Sequence, residues 1–212
     1  MKALTTFLLA IACISATAGD SLKCIIKPAD VPNEWIDMVH PCIRALENQV
    51  KTEIDAAMTY LAMGAHFSQD TVNRPGFAKF FFASASEERE HAIKVIEYLL
   101  MRGQLKNDVS KLLNFPVKPL TDETFSGIHA LSKALKLEAE VTKSIRSIIK
   151  NCENDKFNDY HLVDYLTGDF LTEQYNGQRQ LAGMVSTLGK MMDMHGPLGE
   201  FLYDKKILKE EL

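Results

Sequence analysis

Four stretches of the chain repeat apolar residues at the three- and four-residue spacing of a single helix face. In residues 40–68 the face runs Leu46, Val50, Ala57, Tyr60, Gly64 and Phe67, and Glu53 interrupts it. In residues 75–103 it runs Phe77, Phe81, Ser84, Val95 and Leu99, interrupted by Glu88 and His91. Residues 122–150 carry Ile128, Leu131, Leu135, Thr142, Ile145 and Ile149, interrupted by Glu138. Residues 159–188 carry Val163, Thr167, Phe170, Gly177, Leu181, Met184 and Leu188, interrupted by Gln174. Pro41 and Pro75 suit the first turn of a helix, Gly103 suits a stop, and Thr121 or Asp122 suits a cap, with Glu123 favouring the same N-terminus. After Gly196 and Pro197 a short amphipathic segment carries Leu198, Phe201, Leu202 and Ile207. No stretch alternates as a strand would.

The pattern predicts an all-α chain: a four-helix bundle with a short fifth C-terminal helix. Each long helix of about 29 residues would span roughly 43 Å. The connections after the first and third helices are short, which makes those neighbours antiparallel. The linker after the second, about 18 residues with Pro116 and Pro119, reaches roughly 59 Å when extended. It is long enough to cross the whole bundle, so helices two and three are expected to be parallel.

Glu53, Glu88 with His91, Glu138 and Gln174 each fall near the middle of their helix. In a bundle of equal helices they converge at one level, whichever way each helix runs. Three carboxylates in an apolar interior lose hydration and repel one another, and only protons or cations relieve that. No Lys or Arg shares the stripes at that height. Carboxylates with one imidazole are ligands for iron, manganese or zinc, and Glu88 and His91, three residues apart, lie on one helix face. Met191, Met192, Met194 and His195 are read as packing at a helix end rather than as soft-metal ligands.

Composition narrows the setting. With 212 residues, 46% hydrophobic and 25% charged, the chain has material for one substantial core. Its formal charge of −4 argues against a nucleic-acid surface, and no apolar run beyond residue 20 approaches a membrane span. Residues 1–18 read as a secretory signal peptide: Lys2, an apolar run from Leu4 to Ile14, and the small residues Ala16, Thr17 and Ala18 before the cut. Residues 19–39 form an N-terminal arm and residues 40–212 the bundle domain. Cleavage removes Cys13 and leaves Cys24, Cys42 and Cys152 as disulfide candidates in an oxidising compartment. An odd count implies one bridge within the chain plus a thiol that is free or bonded to another subunit. Cys24 and Cys42 sit together on the N-terminal side, so they can pair, or either can reach a neighbouring chain. The tail Lys209-Glu210-Glu211-Leu212 is either an endoplasmic-reticulum retrieval signal or a polar end. The chain has no sequon for N-glycosylation.

Four segments, in this order, resemble the heavy-type, iron-oxidising subunits of the ferritin family. They are Glu87-Glu88-Arg89-Glu90-His91-Ala92, Ala134-Leu135-Lys136-Leu137-Glu138, Leu171-Thr172-Glu173-Gln174 and Gly199-Glu200-Phe201-Leu202-Tyr203-Asp204-Lys205. The resemblance covers nearly all the chain from about residue 40 and implies a ferritin-like fold with one long crossover. It implies a di-iron ferroxidase site in which Glu53, His91 and bridging Glu88 hold one iron and Glu88 and Glu138 the other. Gln174 lies nearby, Glu87 is an accessory that swings toward the site, and Tyr60 hydrogen-bonds within it. Fe(II) would be oxidised with O2, and Fe(III) would pass to a mineral core inside a hollow cage, 24 subunits by resemblance. Glu90 matches part of an inner-surface nucleation patch where Ile93 replaces the other acid, and Arg89 is read as an ion-pair partner. Asp164 matches one acid of a threefold access channel, whose other position holds Thr167. Light-type chains typically carry lysine at the position of Glu88; the alternative function is such a non-catalytic structural or nucleation subunit. The signal peptide and the resemblance together imply a secretory-pathway or secreted cage, built from copies of this chain and a light-type partner. A disulfide from Cys24 or Cys42 could join the two kinds of chain.

Overall fold

The structure, a computed structural model, describes residues 30–104, 112 and 125–209. The signal segment, Cys24, most of the crossover with the expected cap at Thr121 or Asp122, and residues 210–212 of the tail lie outside them. The chain divides into Met1–Pro32 and Asn33–Leu212, and every helix below belongs to the second unit.

Four long rods form the bundle: α1 His40–Ser68, α2 Pro75–Met101, α3 Gly127–Cys152, and a composite fourth. The fourth consists of α4 Tyr160–Tyr165, a π-helical turn Leu166–Leu171, and α5 Thr172–His195, with right-handed helical backbone at both junctions. The short α6 spans Pro197–Lys209. No strand occurs among the described residues.

Side-chain pairs fix the directions. From one end of α1 to the other, Cys42 meets Cys152, Gln49 meets Ser144, Tyr60 meets Glu138 and His66 meets the Phe125 carbonyl. Numbers that rise on α1 fall on α3, so the two are antiparallel. A six-residue turn, in which Asn73 takes φ 49°, likewise reverses α1 into α2. Helices α2 and α3 therefore run parallel.

Helix ends show where local signals suffice. At the end of α2, Gly103 at φ 69° donates to the Leu100 carbonyl and Gln104 donates to that of Leu99, the double bond of a glycine-terminated helix. The start of α3 differs from expectation: it begins at Gly127, not near Asp122, because its first amide is capped from elsewhere. Gly127 N–H donates to Glu200 of α6 at 2.9 Å, and Glu200 also accepts from Arg74. The buried Asp204 of α6 does the same for α2, accepting from Gly76 and Phe77 N–H at 2.8 and 3.1 Å. Gly76 is required there, since a Cβ would collide with the Asp204 carbonyl oxygen. The fourth rod runs to His195 rather than stopping at Leu188, because Met191 and Met192 still find apolar partners; Gly196 at φ 57° ends it. The reading as packing holds for Met191 and Met192, whereas Met194 is exposed.

Cys42 and Cys152 form a disulfide across α1 and α3, both side chains fully buried. This corrects the pairing of Cys24 with Cys42, and also a bond from Cys42 to another chain. Antiparallel packing brings the start of α1 against the end of α3, although the residues are 110 apart in sequence. Closing so long a loop restricts the unfolded chain, so replacing both cysteines with serine is expected to cost about 2–5 kcal/mol. A lowered denaturation midpoint, and a Cys42–Cys152 peptide in a non-reducing digest of the unaltered protein, check the two halves of this statement.

The apolar core comes in two blocks. One gathers Leu46, Val50, Val95, Leu99, Ile145 and Leu166; the other gathers Phe67, Phe77, Phe81, Leu131, Leu181 and Leu188. Between them lies a polar layer.

Candidate metal centre

That layer consists of Glu53, Glu88, His91, Glu138 and Gln174, one or two from each rod and all buried. Each sits on a face that would otherwise be continuous apolar stripe, which is why helix formation alone carries it inward. Glu53, Glu88 and His91 each place one ligand atom within 4.8 Å of the others. Beside them a cavity of about 80 Å³ is lined by Tyr60, Glu87, Glu88, His91, Glu138, Glu173 and Gln174, among others.

Most of these groups have a partner that holds them in place. Gln49 Nε2 donates to Glu53 Oε1 at 2.8 Å, and Gln49 Oε1 accepts from Ser144 at 2.6 Å. The Tyr60 hydroxyl donates to Glu138 Oε1 in a short hydrogen bond. Gln174 Oε1 accepts from Thr142 at 2.9 Å, and Thr142 accepts from Gln178. His91 has Glu88 Oε2 3.2 Å from Nδ1 and Glu173 Oε1 3.1 Å from Nε2. One atom stands apart: Glu53 Oε2 is buried with no hydrogen-bond partner among the described residues. A buried carboxylate oxygen costs free energy comparable to a lost hydrogen bond unless something binds it.

Electrostatics agree with the geometry. Burial first, and then the negative charge of Glu138, push the Glu88 carboxyl up to about 9. Burial and then Glu88 raise Glu53 well above the usual carboxylate range, and partial desolvation raises Glu87. Burial and then Glu138 push the Tyr60 phenol up, so it stays a donor. Burial also acts to raise Glu173, but the hydrogen bond and charge of His91, with Lys94, outweigh it and hold this carboxyl low. Without a cation the layer keeps protons; with one or two divalent ions it can shed them.

The expected residues divide cleanly by position. Glu53, Glu88, His91, Glu138, Gln174, Tyr60 and Glu87 gather at this level. Asp164 is exposed on α4, with exposed Thr167 and Asp169 in the π turn after it; none of the three lines the cavity beside the centre, and Asp169 lines an adjoining one with Glu87 and Glu173. Arg89 lies 3.8 Å from Glu90 on the solvent side, and Ile93 is exposed. The periodicity reading left out Glu173 and the supporting polar groups Gln49, Ser144 and Gln178, and counted Thr142 only as part of a stripe. A local signal exists for three of these: Gln49, Thr142 and Gln178 each lie four residues from Glu53, Glu138 and Gln174, one turn along the same face.

Comparison with known proteins gives one consistent result. The family described as Ferritin-like domain matches residues 43–191. A ferritin heavy chain from Trichoplusia ni is 58% identical over 198 residues, covering 92% of either chain. One from Drosophila melanogaster is 53% identical over 207 residues, covering 98% of this chain and all of that one. The crystal structure of Trichoplusia ni secreted ferritin superposes with a TM-score of 0.81 at 58% identity, covering 90% of this chain and 100% of that one.

Proposed function

The chain belongs to the ferritin family, and from that premise we propose that it is the iron-oxidising subunit of an iron-storage cage. One observation carries this reading. Position 88 is a glutamate, packed with Glu53 and His91 so that three ligand atoms converge beside an unpartnered carboxylate oxygen. A cation-bearing side chain at that position would fill the site; a carboxylate leaves it needing metal.

Fe(II) is the substrate. Glu53 and His91 hold one ion and Glu138 a second, while Glu88, central to the group, is shared between them. The bound pair gives up electrons to O2. The protein's contribution is geometric and electrostatic: Gln49 and Tyr60 orient Glu53 and Glu138, and the apolar blocks on either side keep bulk water out. Glu87, exposed at the rim of the cavity, is the mobile acceptor that moves ions off the centre. Tyr60, donating to Glu138, adjusts that ligand's basicity. Asp164 lies on the access route from outside. Assembly into a cage of 24 with a light-type partner, passage through the secretory pathway, and retention or release governed by the residues after Lys209 complete the proposal.

The test is a stopped-flow titration of the metal-free cage with Fe(II) in air. A rapid phase that saturates at about two Fe(II) per chain, and that Zn(II) blocks, is the expected result. Oxidation no faster than in buffer would overturn the catalytic reading and leave a structural subunit.

A further inference from the structure

His91 is engaged at both ring nitrogens, and a neutral imidazole has only one N–H and one lone pair. Nδ1 lies 3.2 Å from Glu88 Oε2, and Nε2 lies 3.1 Å from Glu173 Oε1. Two ligands on one cation, each about 2.1 Å away and at right angles, sit about 3 Å apart. The Nδ1–Glu88 separation therefore suits two neighbours in one coordination sphere. The same separation suits two acceptors badly when Glu88 is a carboxylate and Nδ1 keeps its lone pair, unless a cation lies between them. The proton is then on Nε2, the ring nitrogen opposite the one facing Glu88, and it meets Glu173.

We propose that Glu173 is a positioning residue: by accepting the Nε2 proton it fixes the tautomer and plane of His91, so that the Nδ1 lone pair faces the metal. The inference rests on the metal-binding reading above. Lys94 steadies Glu173 from the other side, with Nζ 3.5 Å from Oε2, and Phe170 flanks the imidazole with ring centroids 5.8 Å apart. The carboxylate arrives from α5, two residues after the π turn, while the imidazole is on α2. The pair thus ties together two rods that contribute different groups to the centre. Glu53 has Gln49 as its outer partner and Glu138 has Tyr60; Glu173 gives His91 the corresponding one. Glu88, whose hydrogen-bond partner among the described residues is His91, is left to be shared between two ions.

The assembled metal-free cage is titrated with Co(II) alone, its visible absorption reporting the histidine-bound ion, for the unaltered chain, Glu173→Ala and Glu173→Gln. Loss of an outer partner to a ligating histidine weakens binding roughly 10–100-fold, so Glu173→Ala is expected to shift the Co(II) isotherm by that factor and alter the absorption band. Glu173→Gln still offers a carbonyl oxygen to Nε2–H and is expected to bind within a few-fold of the unaltered chain. An isotherm for Glu173→Ala that overlays the unaltered one overturns the inference. So does a loss in Glu173→Gln as large as in Glu173→Ala, since it would make the charged carboxylate itself a ligand. Fe(II) oxidation by the same unaltered cage separates the two readings: slow oxidation beside a Glu173-dependent Co(II) site overturns the oxidation proposal and leaves the positioning role standing.

Discussion

Glu88→Lys is expected to abolish rapid Fe(II) oxidation while leaving the bundle folded and the cage assembled. Glu88 lies 3.2 Å from His91 Nδ1 and within 4.8 Å of Glu53 at their ligand atoms, and its own carboxyl is raised by burial and by Glu138. A lysine ammonium in that place stands where the shared cation belongs and repels any ion that approaches. Loss of a mere supporting partner costs up to roughly a hundredfold, so loss of the central ligand with reversal of its charge is expected to cost more than that.

The fold should tolerate the change because the surroundings favour a cation. Among the described residues Glu53 Oε2 has no donor and Glu138 accepts from Tyr60, and the adjoining cavity of about 80 Å³ gives a longer side chain room to turn. Stopped-flow oxidation on cages sized by gel filtration reads both halves. Unchanged rates would sink the assignment of Glu88, and failure to assemble would show that the layer does not accept an ammonium. Glu88→Gln, neutral and of the same shape, separates loss of a ligand from gain of a charge: it should slow oxidation and still bind other ions weakly.

How far such a centre can be read from sequence follows from where each signal resides. A glutamate or histidine on an apolar stripe announces itself by violating the pattern, so Glu53, Glu88, His91, Glu138 and Gln174 were legible, and so was the level at which they meet. The limits of α1, His40–Ser68, were legible because Pro41 opens it and a polar turn follows it. The start of α3 was not, because its first amide is satisfied by Glu200, more than seventy residues later. The disulfide was not, because nearness in sequence favours Cys24 with Cys42 whereas antiparallel packing favours Cys42 with Cys152. Glu173 was hidden for a different reason. It is half exposed and off the stripe, so nothing in its own helix distinguishes it from a solvated acid; its partner is an imidazole on another rod.

The metal-free cage is expected to lose stability as pH rises from about 5 to about 9, and divalent metal is expected to remove that slope. Glu88 titrates near 9 in the folded protein against an ordinary 4.5, through burial first and Glu138 second. Glu53 is raised in the same direction by burial and then by Glu88. Between these limits the folded chain holds protons that the unfolded chain has released, so unfolding releases protons and each step up in pH favours it. Asp37 and Glu173 are shifted the other way, Asp37 by its hydrogen bond to Arg102 and Glu173 by His91 and Lys94 against burial. What they contribute is lost as pH falls through their lowered values, below this window, and so does not mask the slope. Zn(II) bound by the carboxylates takes the place of the protons. At a free concentration a thousand times its Kd, one ion adds about 4 kcal/mol, and the gain should be larger at pH 9 than at pH 5, where it must compete with protons. Denaturation midpoints across pH 5–9, with chelator or with Zn(II), read this directly. Glu88→Gln should make the metal-free curve shallower by removing one of the two raised carboxyls and relieving the other. A metal-free curve that is already flat, or that climbs across the window, would mean the carboxylates of the layer are not protonated in the folded chain.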